Sequence, residues 1–263
     1  MFGEHEDAML KSNWHLAHSL LSPYLNNGLL LPGEVVDAVV AEFEKGNVPI
    51  NSAEGFLRQV IGWREYIWNC YWQWMPNYAQ MNELSAVQPL PKLFTAPEKT
   101  HMSCMKSVLE GVYEHSYAHH IERLMVLGNF SLIAGINPQE LTQWMWNSFV
   151  DAAEWVMVPN VVGMSQHADG GMLATKPYAS GGAYIDRMSD HCKGCAYDRK
   201  KRVGEDACPF TVLYWDFFLR HEEKFVKNPR VARQVRAAQQ LADRDELQAT
   251  AVTILQRLQS GEL

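Results

Sequence analysis

The chain has 263 residues, of which 47% are hydrophobic and 20% charged. That is enough to bury a substantial core without staples, and it excludes a disordered chain. No apolar run reaches the length of a membrane span, and five cysteines, an odd number, fit a reducing compartment better than a disulfide framework.

Helix signals recur along the chain. Pro32-Gly33 opens a predicted helix that runs to Lys45 and is closed by Gly46. Asn51 with Glu54 makes a capping-box pattern ahead of a long aromatic helix over 53–74. Residues 89–97, with three prolines, read as an irregular loop. Asn137-Pro138 followed by Glu140 places a cap, a first-turn proline and an early carboxylate in register. Residues 160–184, with Gly163, Gly170, Gly171, Gly181 and Gly182, read as a long loop of the kind that carries function. Asn228-Pro229 and Asp243-x-x-Glu246 repeat the helix-start punctuation. Strand-length alternation is missing, so the predicted fold class is all-α.

Net charge is −7, but its distribution is uneven. Residues 1–54 carry eight acids against Lys11 and Lys45, a local −6. Residues 187–202 and 220–236 each carry six basic residues against two acids, a local +4. Each stretch suits either a solvated helix face or a phosphate-binding surface. The acidic N-terminus lacks a secretory pattern, which makes the cytoplasm the expected location.

Cysteines carry the sharpest chemical signal. Cys192-x-x-Cys195 brings two sulfurs to one centre from a single turn, Cys208-Pro209 returns after twelve residues, and Cys104 must arrive from elsewhere. Soft sulfur selects zinc or an iron-sulfur cluster, and on residues alone both remain open. Cys70, among Trp68, Tyr71 and Trp72, reads as a small core residue. His119-His120 could serve acid-base work, although only one of two adjacent helical residues can face a given partner. Of nine tryptophans, Trp63, Trp68 and Trp155 are expected to fill the core, with a redox relay open to a minority. Neither GxGxxG nor a Walker loop is present.

The stretches HSLLSPYLNNGLL from His18, FLRQVIGWREY from Phe56, HHIERLMVLGNF from His119, DAAEWVMVPNVVGM from Asp151, TKPYASGGAYIDRMSDHCKGC from Thr175 and CPFTVLYWDFF from Cys208 occur in one order. In that order they resemble the bacterial photolyase and cryptochrome family that carries an iron-sulfur cluster. The resemblance implies a helical FAD-binding domain over 1–228 with a C-terminal helical extension over 229–263. It implies FAD in a bent form and a 4Fe-4S cluster on Cys104, Cys192, Cys195 and Cys208. Ser19 and Ser22 match positions that bind the flavin phosphates, and Arg64 matches the arginine of the WRE motif. Asn160 falls near the flavin ring, with Asp151 and Glu154 in the same segment. His119 and His120 match a histidine pair beside the pocket for (6-4) photoproducts, Trp144 matches an electron-path tryptophan, and Tyr178 matches a lesion contact. The implied function is light-driven repair of UV-damaged DNA, with the lesion flipped out of the duplex. A blue-light photoreceptor without repair and a flavin-free iron-sulfur DNA-binding module are the alternatives. Family members carry an N-terminal α/β antenna domain to which nothing here corresponds. That domain is expected to be absent or carried separately, leaving normally buried apolar surface exposed.

Overall fold

The computed structural model describes residues 2–263. Asn137 accepts hydrogen bonds from the backbone N–H groups of Gln139 (2.9 Å) and Glu140 (3.1 Å), so the helix Pro138–Ser148 starts where its local chemistry places it. The helix Pro32–Glu44 likewise begins at its proline and ends before Gly46, whose φ of 77° is the left-handed stop. Two expected caps fail because other partners take the side chains. Asn51 lies inside the helix Ile50–Leu57, which starts after Pro49, and its Oδ1 accepts from the Ser52 N–H. Asp243 does precede the helix Arg244–Ser260, but its carboxylate is taken by Arg202 at 2.7 Å.

Three helical rods contain a π-turn: Arg58–Trp63 leads into Arg64–Trp74, Arg123–Gly128 links His120–Glu122 to Asn129–Ala134, and Pro159–Ser165 follows Glu154–Val158. The last of these makes the start of the expected 160–184 loop helical, and Gly182–Met188 converts its end. Gly128 abuts Ser165, and a methyl group there would collide with the Ser165 hydroxyl. Residues 89–97 form the expected irregular connection, tightened by short 3₁₀ turns at Lys92–Phe94 and Pro97–Lys99.

The main core gathers on the helix Pro209–Arg220, with Phe94, Phe130, Phe210, Phe217 and Phe218 almost fully buried. The helices Ala232–Gln239 and Arg244–Ser260 close one side of it through Val235, Leu247, Ile254 and Leu258. Residues 229–263 therefore share the core of the rest of the chain. Among the described residues β-pairing is limited to isolated bridges, and no helix is long and apolar enough to cross a membrane. The fold is all-α, as expected. Cys70 is buried, but the expectation that Trp68 fills the core is corrected: it is 40% exposed and Trp72 is 65% exposed. Trp63 and Trp155 are half-buried on a cavity wall.

Candidate functional site

All three π-turns face one cavity of about 460 Å³. A π-turn adds a residue to the helical repeat and re-aims the side chains that follow, which is why such turns gather at functional sites. Here they deliver Trp63, Arg123 and Asn160 to the same hollow, while the segment 18–26 closes another side. Within that segment Leu20 is held at φ 57°, a conformation that costs a non-glycine residue about 1 kcal/mol and must be stabilised by its surroundings.

Polar wiring fixes one wall. Asp151 is almost buried and takes both Arg123 Nη1 (2.9 Å) and Nη2 (3.2 Å), together with the hydroxyl of Ser22 (2.7 Å). Asn26 donates to the Asp151 carbonyl and accepts from Arg64 at 3.1 Å. The Arg64 guanidinium lies 4.7 Å above the Trp155 ring, and burial lowers its affinity for its proton. Hydroxyls, a guanidinium and apolar rings thus share one hollow, a set suited to a ligand with charged and aromatic parts.

At the cavity edge stand three histidines. His18 Nδ1 lies 2.9 Å from the His15 carbonyl, His18 Nε2 lies 3.1 Å from His120 Nδ1, and His120 Nε2 lies 3.4 Å from Asp7. His119 is fully buried, stacks on His18 with ring centroids 4.5 Å apart, and has its Nε2 3.5 Å from Glu122. Burial holds His119 neutral, its pKa lowered to about 2, and His18 likewise at about 4. The same burial pushes the Glu122 carboxyl up to about 7. Ligand nitrogens of His18, His119 and His120 lie within 4.8 Å of one another. They still make a poor metal site, because an ion about 2.1 Å from each nitrogen must lie in every ring plane. His18 and His119 are stacked within 13° of parallel, so their lone pairs do not converge.

The second site is the cysteine pocket. Cys104, on the helix Ser103–His115, meets Cys192, Cys195 and Cys208 beside Gly182, with about 20 Å³ of open space. All four are free thiols. Burial, then the neighbouring sulfurs, pushes Cys104 well above the ordinary thiol range, and burial with Cys208 pushes Cys192 up to about 12. The loop is knotted by backbone hydrogen bonds from Cys195 N–H to the Cys192 carbonyl and from Cys208 N–H to the Asp198 carbonyl. A Cβ on Gly182 would come within 3.0 Å of Cys208 Sγ.

Of the residues proposed from sequence, Ser19, Ser22, Arg64, Asp151, Asn160 and His120 line the cavity. Glu154 is turned to the Tyr71 hydroxyl (3.1 Å), and His119 lies behind His18. Trp144 packs between Phe94 and Phe149 while its neighbour Met145 reaches the cavity. Tyr178 is half-buried near Lys176, away from that wall. Sequence reasoning passed over Asp7, His18 and Arg123, although the last two stand inside the quoted motifs. Several charges of the basic stretches are consumed internally: Arg199, Lys201, Arg202 and Arg220 pair with Asp186, Asp206, Asp243 and Asp216.

No family model matches the chain. It is 48% identical over 259 residues to a (6-4) photolyase of Agrobacterium fabrum, which covers 98% of this chain and 51% of that protein. The chain thus spans about half the length of this curated relative. It is also 32% identical over 101 residues, and 41% over 63 residues, to two uncharacterized proteins of Acanthamoeba polyphaga mimivirus, covering 75% and 48% of them. Near-complete coverage at that identity, on an all-helical frame around one cavity, makes the chain similar to about half of a (6-4) photolyase.

Proposed function

We propose that this chain is the FAD-binding lobe of a light-driven enzyme that repairs UV-damaged DNA, with (6-4) photoproducts as substrate. The observation that carries the reading is the cavity itself, which gathers Ser19, Ser22, Arg64, Asp151 and Asn160 from segments scattered over more than half of the sequence. Its volume of about 460 Å³ falls in the range of ligand pockets, roughly 300–1,000 Å³. Arg64 and Ser19 are suited to a pyrophosphate, and Trp63 and Trp155 to ring systems. Ser22 already donates to Asp151, so its part is to hold that carboxylate and to offer its oxygen. When bound and reduced, FAD would supply the excited-state electron that opens the lesion. The protein's own tasks are to hold Arg64 through Asn26, to exclude water with the apolar wall, and to present a histidine to the lesion.

Cys104, Cys192, Cys195 and Cys208 fit a 4Fe-4S cluster. Crowded, buried thiols keep their protons unless a cationic centre takes those protons' place and stabilises the thiolates. Exposed Leu29, Leu31, Ile50 and Ile61 support the reading that an α/β antenna domain packs on this lobe. The cytoplasm is the location that suits reduced cysteines.

The test is illumination of reduced, FAD-loaded protein, supplied with an α/β half, on an oligonucleotide carrying a (6-4) photoproduct. Restored bases are expected. Normal flavin photoreduction with no lesion reversal would overturn the repair reading and favour a photoreceptor.

A further inference from the structure

His120 has two ring nitrogens and two partners, and the partners differ in kind. His18 Nδ1 can only donate to the His15 carbonyl at 2.9 Å, which leaves His18 Nε2 as an acceptor in the neutral ring. His18 is held neutral by burial, so the hydrogen between the two rings, 3.1 Å apart, belongs to His120 Nδ1. The other nitrogen of His120 lies 3.4 Å from a carboxylate oxygen of Asp7. A lone pair there would face negative charge, so this contact is satisfied only when Nε2 carries a proton.

We propose that Asp7 and His18 are positioning residues for His120: His18 fixes the Nδ1–H and the ring plane, and Asp7 holds the Nε2–H that exchanges with substrate. The use of that proton in repair rests on the function proposed above; the proton order does not. His120 Nε2–H would protonate the departing oxygen or nitrogen of the lesion and later take the same proton back, with His18 keeping the other nitrogen out of the exchange. The neighbours agree with this order. His119 is stacked on His18 and neutral, Glu122 turns to His119, and Arg123 is bound to Asp151. Tyr184, from the helix Gly182–Met188, is a phenol that holds its proton more tightly through burial and then through the nearby Asp7 charge. The Asp7 carboxyl lies below the ordinary carboxylate range, first through its hydrogen bond to His120. His18 and His120 both line the cavity, so the relay opens onto the site it would serve.

The decisive experiment needs neither flavin nor DNA. Nitrogen-15 NMR of the histidine rings in the chain as it stands should show His120 protonated on both nitrogens in its charged form and keeping Nδ1–H once Nε2–H is lost, with His18 protonated on Nδ1. His18→Ala should mix the His120 tautomers, and His120→Ala should raise the Asp7 titration midpoint toward its usual value. An Nε2–H neutral tautomer at His120, or tautomers unmoved by His18→Ala, would overturn the proposal. In repair assays Asp7→Asn should slow turnover about tenfold at neutral pH with lesion binding unchanged, a modest share of what acid-base groups contribute. Equal turnover would remove Asp7 from the mechanism. If the parent protein repairs nothing, the function falls and the NMR result still decides the proton order.

Discussion

The cavity and the cysteine pocket are built on opposite principles. Helices frame the cavity, and its polar groups satisfy one another through the Arg64–Asn26 and Arg123–Asp151–Ser22 contacts. In the cysteine pocket a loop is drawn over Cys104, leaving almost no space, and burial with the neighbouring sulfurs makes Cys104, Cys192 and Cys208 hold their protons more tightly. One site is preorganised, whereas the other has room for little beyond its own sulfurs. If the proposed cluster is held there, stability should depend on it, and ligand binding on the packing around the hollow.

The largest effect that separates the two should come from Cys195→Ala in protein prepared with iron. A centre that ties Cys104 to residues about ninety positions away contributes folding free energy outright, several kcal/mol or more. Thermal unfolding should drop sharply together with the broad iron-sulfur absorbance, and an unchanged melting temperature would show that the cysteines are not a structural clamp. Next is Arg123→Met, which leaves the Asp151 carboxylate almost buried with only the Ser22 hydroxyl for company. Breaking a buried pair from one side costs about 3–5 kcal/mol, readable as a lowered urea midpoint. FAD binding should weaken in the fraction that stays folded.

The same contrast explains what could be read in advance. Asn137 and the Cys192–Cys195 turn were legible because their chemistry is complete within a few residues. Asp243 was misread as a cap because Arg202, forty-one positions away, competes for the same carboxylate. The π-turns leave no periodic signature: one inserted residue shifts the apolar stripe without breaking it, so 53–74 looks like a single aromatic helix. Trp68 looked like core because composition says nothing about which face of a helix is covered. His18 and His120 are 102 positions apart and Asp7 is unremarkable as a sequence, so only the fold could show that they meet.

A smaller effect sharpens the part that packing plays. Gly128→Ala would place a methyl group against the Ser165 hydroxyl and 2.9 Å from the Arg123 carbonyl, where two π-turns meet. Overpacking of this kind costs about 1–3 kcal/mol. Gly111→Ala, in the helix Ser103–His115 with open space around it, should instead stabilise by about 0.5–1 kcal/mol. Opposite signs for the same chemical change in urea unfolding would locate the strain at the cavity. Equal signs would show that the π-turns can yield.

The gentlest effect is the response to pH, and its sign follows from which state binds protons first. Burial keeps His18 and His221 neutral in the fold down to about 4, and His119 to about 2, whereas in the unfolded chain they take up protons near 6.5. Their contribution is full above pH 6.5 and is lost as pH falls from there toward 4. Glu122 acts in the opposite direction. With its carboxyl raised to about 7 in the fold against 4.5 unfolded, it favours the folded state more as pH falls from 7 to 4.5. Three histidines outweigh one carboxyl, so the urea midpoint should decline across this range. Glu122→Gln, which removes the opposing group while keeping its shape, should make the decline steeper. A decline unchanged by that substitution would mean that the acid stacked behind the histidine wall is already ionised, and that His119 is held by something other than the apolar surroundings described above.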